Sequence, residues 1–184
     1  MSKQKEVILS GVGGQGLIVC GTILGIAATL FDNKRATMFS EYGTETRGTF
    51  AKSDVIVSEN DIHYQEAIAP ELILCLAQPA YDRYSGTIPK GSILVYDSDQ
   101  IAPNEDIPNE KGFSLLTMAG ELGNTATLNM ISLGVVTSYT NIVSPYAARE
   151  AIKHFWGSKS NKIVSLNYKA FDLGYNLNNK SQYY

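Results

Sequence analysis

The sequence is poor in the residues that hold metals and clusters. It has two cysteines, Cys20 and Cys75, two histidines, His63 and His154, and no Cys-x-x-Cys pair. Iron–sulfur clusters and structural zinc sites need several such ligands at set spacings, so we expect no metal site on this chain. Each cysteine lies among apolar residues, which predicts reduced, buried packing residues rather than redox groups.

Charge, hydropathy and motifs argue against a nucleic-acid-binding protein, against a membrane-spanning or secreted protein, and against catalytic residues on this chain. The 15 basic and 18 acidic residues give a net charge of −3, which offers no basic surface for nucleic acid. No apolar run approaches the roughly 20 residues of a membrane-spanning helix, and residues 1–6 lead directly into a predicted strand without room for a signal peptide. Neither histidine lies in a recognisable nucleophile–base motif. We therefore expect a cytoplasmic protein with no catalytic residue of its own.

One glycine-rich stretch organises the chain. Residues 7–9 form a short apolar run typical of a buried strand, and apolar residues recur at helical spacing over residues 17–31. The loop between them fits G-x-G-x-x-G with one extra glycine and one glutamine: Gly11, Gly13, Gly14, Gln15 and Gly16. Such a loop presents the free N–H groups of a helix start to a phosphate or another anion.

The glycine loop alone leaves its ligand open. A dinucleotide site also needs an acidic residue about 20 positions on, at the end of the second strand, to hold a ribose hydroxyl. Asp32 has nearly that spacing but falls in an expected turn, and Glu41 is better placed but comes late. A third interpretation is a tight turn that only packs a helix on a sheet.

The rest of the pattern predicts one α/β domain. Strands are expected at residues 35–40, 49–58, 71–77 and 91–97, and helices near residues 79–86, 116–122, 125–139 and 145–156, with a final one at 166–177 after a Ser165 cap. Residues 60–69 are expected as a turn with a short irregular helix, and residues 99–112 as an exposed excursion. The expectation is a three-layer domain over residues 1–177, with a largely parallel central sheet flanked by helices and a Rossmann-like first turn. Residues 178–184 form a polar tail.

A second polar stretch follows the second predicted strand. Residues 40–49 should reach the carboxyl edge of the sheet, beside the glycine loop. There Tyr42 offers a stacking surface, Arg47 a fixed cation for phosphate or carboxylate, and Gly43 and Gly48 points of close approach. Arg47 could instead pair with an acidic residue of its own loop. Asn124 and Asn129 could reach the same edge, and capping is an equally good interpretation of them.

Three ordered motifs together resemble a known family. Residues 11–16, then residues 41–48, then residues 120–124 with 129–134 look like the gamma subunit of 2-oxoacid:ferredoxin oxidoreductases, most of all the 2-oxoglutarate (KorC-type) subunit. The likeness runs from about residue 5 to residue 177, nearly the whole chain. The family's second loop ends Arg-Gly-Gly, whereas Thr49 stands here for the second glycine, which bears on how closely a ligand approaches.

The resemblance implies an assembled enzyme that decarboxylates a 2-oxoacid on thiamine diphosphate, passes electrons through iron–sulfur clusters to ferredoxin and releases an acyl-CoA. This chain has no Gly-Asp-Gly start of a magnesium–diphosphate motif and no cluster ligands. Thiamine diphosphate, magnesium and the clusters are therefore expected on alpha, beta and ferredoxin-like delta partner subunits. The chain itself is expected to be inactive alone, to contact coenzyme A through the glycine-loop amides and Arg47, and to be capable of self-association when isolated.

Three alternatives stay open at this point. Within the family, an indolepyruvate-type subunit shares the glycine loop and the tyrosine–arginine loop. Outside it, the chain could be a stand-alone dinucleotide-binding protein, or an interaction module without a small ligand.

Overall fold

The structure, a computed structural model, describes residues 4–43, 48–104 and 107–180, with the backbone alone for 179 and 180. Six strands form its central sheet in the spatial order β2-β3-β1-β4-β5-β6. They are β1 (Lys5–Val12), β2 (Arg35–Tyr42), β3 (Phe50–Ser58), β4 (Leu72–Cys75), β5 (Ile93–Asp97) and β6 (Glu110–Phe113). The β1–β4, β4–β5 and β5–β6 pairs are parallel, whereas β3 runs antiparallel to both β1 and β2. The largely parallel sheet is confirmed, with one reversed strand beside its centre.

Successive residues of each strand supply opposite faces of the sheet, as the period of a strand requires. Val7 and Leu9 join one apolar cluster, whereas Ile8 between them joins the other. The first cluster is the larger and contains buried residues from six helices. The second is smaller and is covered by one short helix and loops. The three layers are therefore unequal in thickness.

In the part of the chain that the structure describes, seven α-helices flank the sheet. They are α1 (Leu17–Ile26), α2 (Gln78–Tyr84), α3 (Leu115–Glu121), α4 (Leu128–Thr140), α5 (Pro145–Trp156), α6 (Asn161–Tyr175) and α7 (Leu177–Lys180). A π turn, Ala27–Phe31, continues α1, and a 3-10 turn, Thr125–Thr127, leads into α4. Of the helices described, α2 alone lies on the face of the smaller cluster, which holds its Ala80 and Tyr81.

Four local predictions need correction. The exposed segment predicted at residues 99–112 contains most of β6, a sixth strand. The sequence pattern did not indicate this strand because its residues are mostly polar. Residues 60–69 contain no helix. The final helix begins earlier than expected, because the Ser160 side chain accepts the Ile163 N–H at 3.3 Å and caps α6 in place of Ser165. Helix α7 continues three residues into the polar tail, where the Asn178 amide donates to the Ser138 carbonyl at 3.1 Å.

Helices α4 and α6 cross with their backbones in contact. A Cβ atom at Gly134 would overlap the Phe171 carbonyl oxygen, and one at Gly174 would overlap the Ile131 carbonyl oxygen. Both crossing points therefore require glycine, since any side chain would force the two helices apart.

The irregular segment of residues 59–70 is fastened by a buried carboxylate. Glu6 is 4% exposed, and one of its oxygens accepts the N–H groups of Ile68 (2.6 Å) and Ala69 (2.8 Å). Its other oxygen accepts the Gln4 amide (2.7 Å) and the Tyr64 hydroxyl (2.8 Å). Burial alone would raise the pKa of Glu6, but these four hydrogen bonds outweigh it and hold the pKa below its ordinary 4.5.

Candidate functional site

The glycine loop is shaped by a side chain of its own. The Gln15 side-chain oxygen accepts the Val12 N–H, and its nitrogen donates to the Leu76 carbonyl at the end of β4, both at 2.8 Å. Gly11 makes room for this, because a Cβ there would overlap the Gln15 side-chain oxygen. Gln15 and Gly11 thus brace the loop against the sheet, and Gln15 is not free to turn toward a ligand without breaking both hydrogen bonds.

The start of α1 is the part of this loop that can hold an anion. Gly16 caps the helix with a φ of 75°, no side chain accepts a hydrogen bond there, and the first turn has no acidic residue. Gly14 is exposed and also has a positive φ, 100°. Because the first-turn N–H groups of a helix have no partner within the helix, they are available to an anion, which the helix dipole also favours.

Two hollows open on either side of this helix start. The first, of about 350 Å³, is here called the Tyr42 hollow. Its lining is the glycine loop, the first turn of α1 and the adjacent ends of β2 and β3, namely Val12, Gly13, Gly14, Gln15, Gly16, Leu17, Ile18, Val19, Tyr42, Ala51 and Lys52. Tyr42 is 60% exposed. The Tyr42 hollow therefore combines an accessible aromatic ring with an apolar wall and free amides.

The second hollow, here called the Asn129 hollow, also measures about 350 Å³. Its lining joins the glycine loop to the starts of α3 and α4, namely Gly14, Gln15, Gly16, Leu116, Thr125, Ala126, Leu128 and Asn129. Asn129 is only 9% exposed and packs so closely that a Cβ at Gly16 would lie 2.7 Å from its amide nitrogen. Within the described residues, the Asn129 amide makes no hydrogen bond, and it lines the hollow. It is thus a candidate ligand contact.

Asn124 has a different role. Its side-chain oxygen accepts the Ala126 N–H at 3.0 Å, and its backbone oxygen accepts the Thr127 N–H and hydroxyl at 3.0 and 2.8 Å. Asn124 therefore caps the 3-10 turn before α4, which is the capping interpretation that the sequence left open. Of the two asparagines, only Asn129 reaches the lining of a hollow.

The connection between β2 and β3 meets the glycine loop as predicted. The Gly13 N–H donates to the Thr49 carbonyl at 3.1 Å, so this amide is not available to a ligand. Gly43 must be glycine because a Cβ there would lie 2.6 Å from the Thr49 Cβ, and Gly48 adopts a φ of 79°. Thr49 thus fastens the two loops through its backbone and fills the space beside Gly43. Arg47, the predicted cation, lies outside the described residues.

A lysine that the sequence reasoning missed also lines the Tyr42 hollow. Lys52 is 7% exposed, and its ammonium lies 3.1 Å from Asp54, 3.3 Å from Glu66 and 3.8 Å from Glu41. Burial alone would lower the pKa of Lys52, but Asp54 and Glu66 outweigh it and raise the pKa. Burial raises the pKa of Asp54 despite Lys52. Three carboxylates surround the one ammonium, which lies with Glu41 on the sheet face away from α1, so Lys52 is a poor phosphate ligand. Lys52 and Asp54 are two residues apart in a strand and therefore share a face of the sheet. This spacing is the feature of the sequence that could have identified Lys52.

The strand order argues against a dinucleotide site. In that fold the second strand lies next to the first, whereas here the antiparallel β3 separates β2 from β1. Glu41, opposite Lys52 in the register, lies on the sheet face away from α1. Asp32 accepts the Ser144 N–H and hydroxyl, both at 2.6 Å, and so fastens the start of α5. Neither acid can hold a ribose beside the glycine loop.

The cysteines and histidines lie apart from these hollows. Cys20 and Cys75 are unpaired and buried, and burial raises the pKa of each thiol to about 12. The His154 ring packs edge-on against Phe31. Across the residues that the structure describes, no group of three or more His, Cys, Asp or Glu side chains could hold a metal ion, and no helix could cross a membrane.

Comparison with known proteins decides among the interpretations. The pyruvate ferredoxin/flavodoxin oxidoreductase family matches residues 6–177. The chain belongs to this family. The matched residues are nearly those over which the sequence motifs resemble the family, from about residue 5 to residue 177. The resemblance to the family is confirmed.

Two family members of similar length resemble most of this chain. The 2-oxoglutarate synthase subunit KorC of Methanocaldococcus jannaschii is 39% identical over 153 residues, which cover 81% of this chain and 82% of the relative. The gamma subunit of a keto/oxoacid ferredoxin oxidoreductase from Geobacter sulfurreducens has 33% identity and a TM-score of 0.78, covering 93% of this chain and 96% of its own. These comparisons confirm the fold.

A third similarity concerns the fold alone. The 2-oxoglutarate:ferredoxin oxidoreductase from Magnetococcus marinus, solved with 2-oxoglutarate, coenzyme A and succinyl-CoA, superposes with a TM-score of 0.84 at 22% identity. The likeness covers 95% of this chain but 31% of that one. The same fold therefore occurs both as a separate chain and as part of a longer oxidoreductase chain.

Proposed function

We propose that this chain is the gamma subunit of a 2-oxoglutarate:ferredoxin oxidoreductase, which converts 2-oxoglutarate and coenzyme A to succinyl-CoA and carbon dioxide while reducing ferredoxin. The observation that carries the proposal is the match to the KorC subunit at 39% identity over most of both chains. An indolepyruvate-type subunit is the alternative within the family. The chain is expected to work only in its complex, because its sequence has no recognisable nucleophile–base motif.

Its partners are the alpha and beta subunits, with a ferredoxin-like delta subunit, and these hold thiamine diphosphate, magnesium and the iron–sulfur clusters. The support from this chain is chemical, since it has neither the cysteines for a cluster nor a Gly-Asp-Gly motif. Two unpaired, buried cysteines agree with a place in the cytoplasm.

The contribution that the geometry supports is contact with coenzyme A, which supplies the thiol that accepts the acyl group. The amides of Gly14, Gly16 and the first turn of α1 suit its phosphates. The Asn129 amide, which lines the second hollow and makes no hydrogen bond within the described residues, fits as a further donor to a phosphate oxygen. Tyr42, with an accessible ring above an apolar wall, suits the adenine. Because Lys52 is neutralised by carboxylates, the cation for the phosphates is assigned to Arg47, with Gly43 and Gly48 giving its loop room to approach.

The substrate is tested with the complex purified without oxygen through a tag on this chain. We expect CoA-dependent reduction of a ferredoxin-like acceptor with 2-oxoglutarate, and much slower reduction with pyruvate or 2-oxoisovalerate. Preference for indolepyruvate would assign the chain to the other branch. A chain recovered alone with a bound nicotinamide or flavin would overturn the subunit assignment.

The coenzyme A contact is tested separately in the same complex. Arg47→Ala and Asn129→Leu should each raise the apparent KM for CoA, by roughly 10-fold for the loss of one charge-assisted contact of about 1.5 kcal/mol, while the KM for 2-oxoglutarate stays constant. Arg149→Ala is the matched control, because Arg149 pairs with Asp172 on the helical surface. An unchanged KM for CoA in both variants would refute the contact and leave the subunit assignment standing.

A further inference from the structure

One long strand edge has no partner among the residues that the structure describes. β2 ends the sheet and pairs along its whole length with β3, from Arg35 opposite Ser58 to Tyr42 opposite Ala51, without a bulge. The Gly43 N–H donates to the Phe50 carbonyl at 3.0 Å. Because backbone groups alternate in direction along an antiparallel ladder, the outward N–H and C=O groups belong to Ala36, Met38, Ser40 and Tyr42.

This edge has little of the usual protection. Natural edge strands are blunted by charged residues (especially lysine), by proline or by bulges; β2 has no lysine, proline or bulge, and its two charged residues, Arg35 and Glu41, lie near its ends. Met38 in its middle is 37% exposed and Tyr42 at its end 60% exposed. The π turn, which contacts β2, adds Leu30 at 59%. Edges of this kind are suited to pairing with another chain.

The helix beside this edge has no charged residue and a single hydroxyl residue, Thr22. This helix is α1, with the sequence LIVCGTILGI, yet its Ile18 and Ile26 are only partly buried. It contacts β2 directly, since a Cβ at Gly21 would lie 2.8 Å from the Met38 sulfur. A helix without a polar face is normally covered all round. We call the β2 edge with the partly exposed face of α1 the β2–α1 surface.

We propose that the β2–α1 surface pairs with a second copy of this chain. The two β2 edges join antiparallel around a two-fold axis, which makes one continuous sheet with both α1 helices on the same side, and an isologous contact of this kind closes after two copies. Outward-facing residues must meet one another, and in the register that we propose Met38 meets its counterpart at the axis and Ala36 meets Ser40.

Charge selects this register and this partner. With Met38 at the axis, Arg35 of each copy lies opposite Glu41 of the other, and symmetry makes the pair twice. Shifting the register by one step of the ladder sets Arg35 opposite Gly43 and loses both pairs. The two side chains lie on the same sheet face and are 62% and 44% exposed. Within one copy Arg35 lies 3.1 Å from Asp61 and Glu41 lies 3.8 Å from Lys52, so each adds the partner from the other copy to an ion pair that it already makes. Opposite charges placed directly across a ladder stabilise it.

A cross-link at the axis tests the pairing on the full chain. In a hydrogen-bonded antiparallel pair the two Cα atoms are about 5.5 Å apart, which suits a disulfide. Met38→Cys should therefore form a covalent dimer on mild oxidation, alone and in the purified complex, without interference from the buried Cys20 and Cys75. Tyr146→Cys is the matched control on α5, since Tyr146 is 68% exposed and should stay uncoupled.

Sedimentation gives the second test. Met38→Lys should make the chain monomeric with an unchanged circular dichroism spectrum, whereas Ile68→Lys, at a residue 69% exposed elsewhere, should leave the dimer intact. Arg35→Glu should raise the dimer Kd by between about 2- and 30-fold for two pairs, and adding Glu41→Arg should recover the loss.

A wild-type chain that sediments as a monomer would overturn the proposal, as would equal cross-linking of the two cysteine variants. If that monomeric wild-type chain binds the larger subunits and Met38→Lys abolishes this binding, the surface belongs to a different subunit instead of a second copy.

Discussion

Replacing Glu6 by glutamine tests how the segment of residues 59–70 is held. The substitution keeps the size of the side chain but removes its charge, so four charge-assisted hydrogen bonds become neutral ones. The amide oxygen can still face the N–H groups of Ile68 and Ala69, and the Tyr64 hydroxyl can turn to accept from the amide nitrogen. The loss therefore isolates the charge rather than the contacts.

The magnitude follows from the two backbone donors, which cannot rearrange. A hydrogen bond to a charged group stabilises by about 1 kcal/mol more than a neutral one. Two such bonds predict a loss of about 2 kcal/mol in the free energy of unfolding at pH 7. For a chain of this size, that corresponds to a fall of roughly 4–8 °C in Tm.

The pH dependence follows from the lowered pKa of Glu6. A carboxyl whose pKa is lower in the folded state than in the unfolded one stabilises the fold above the unfolded value, and this stability is lost as the pH falls through the folded value. The difference between wild type and Glu6→Gln should therefore be constant from pH 7 to pH 5.5. It should shrink below the ordinary 4.5 and close at lower pH.

Urea unfolding at a series of pH values measures this difference, and hydrogen exchange locates it. The Ile68 and Ala69 amides should exchange faster in the variant, whereas Glu59→Gln, at an exposed position in the same segment, should match wild type. A difference that stays constant down to the lowest pH would refute the reasoning, because it would not depend on the charge of Glu6.

Two further predictions concern packing. Gly174→Ala should destabilise by about 1–3 kcal/mol, because its Cβ overlaps the Ile131 carbonyl oxygen, whereas Gly120→Ala, with open space in α3, should be neutral or stabilise by up to about 1 kcal/mol. Thermal unfolding compares the two, and a stabilised Gly174→Ala variant would contradict the close crossing. Cys20 and Cys75, with thiol pKa values of about 12, should resist a thiol reagent at pH 8 until the chain is unfolded. Rapid reaction of either thiol in the folded protein would contradict its burial.

Periodicity predicted most elements because their burial is one-sided or complete. Strand β4 is an unbroken apolar run, and α5 begins at a serine–proline pair that the structure confirms as cap and first turn. It missed β6, since Glu110–Phe113 is a polar edge strand with no alternating pattern. The order of the strands could not be predicted from the hydrophobic pattern either, because the residues of Phe50–Ser58 do not indicate that β3 runs antiparallel between β1 and β2.

The candidate site was predicted in part. The loop glycines and Tyr42 come together as expected, since β1 and β2 end at the same edge of the sheet. The sequence could not show that the side chains of Gln15 and Asn124 form hydrogen bonds with the backbone, because a side chain that caps a turn and one that contacts a ligand look alike in sequence. Lys52 was missed because it belongs to no motif and is defined by the carboxylates around it.

The Gln15 brace has a consequence for the energetics of binding. A loop that closes around its ligand must be ordered at the moment of association, and the lost freedom weakens the affinity. Here the Gln15 side chain already occupies the inner side of the turn and ties the turn to Leu76. The glycine loop is therefore ordered when the chain folds, before any ligand binds. An anion arriving at α1 should find the amides at their final positions, and the glycine loop should have the same conformation with and without it.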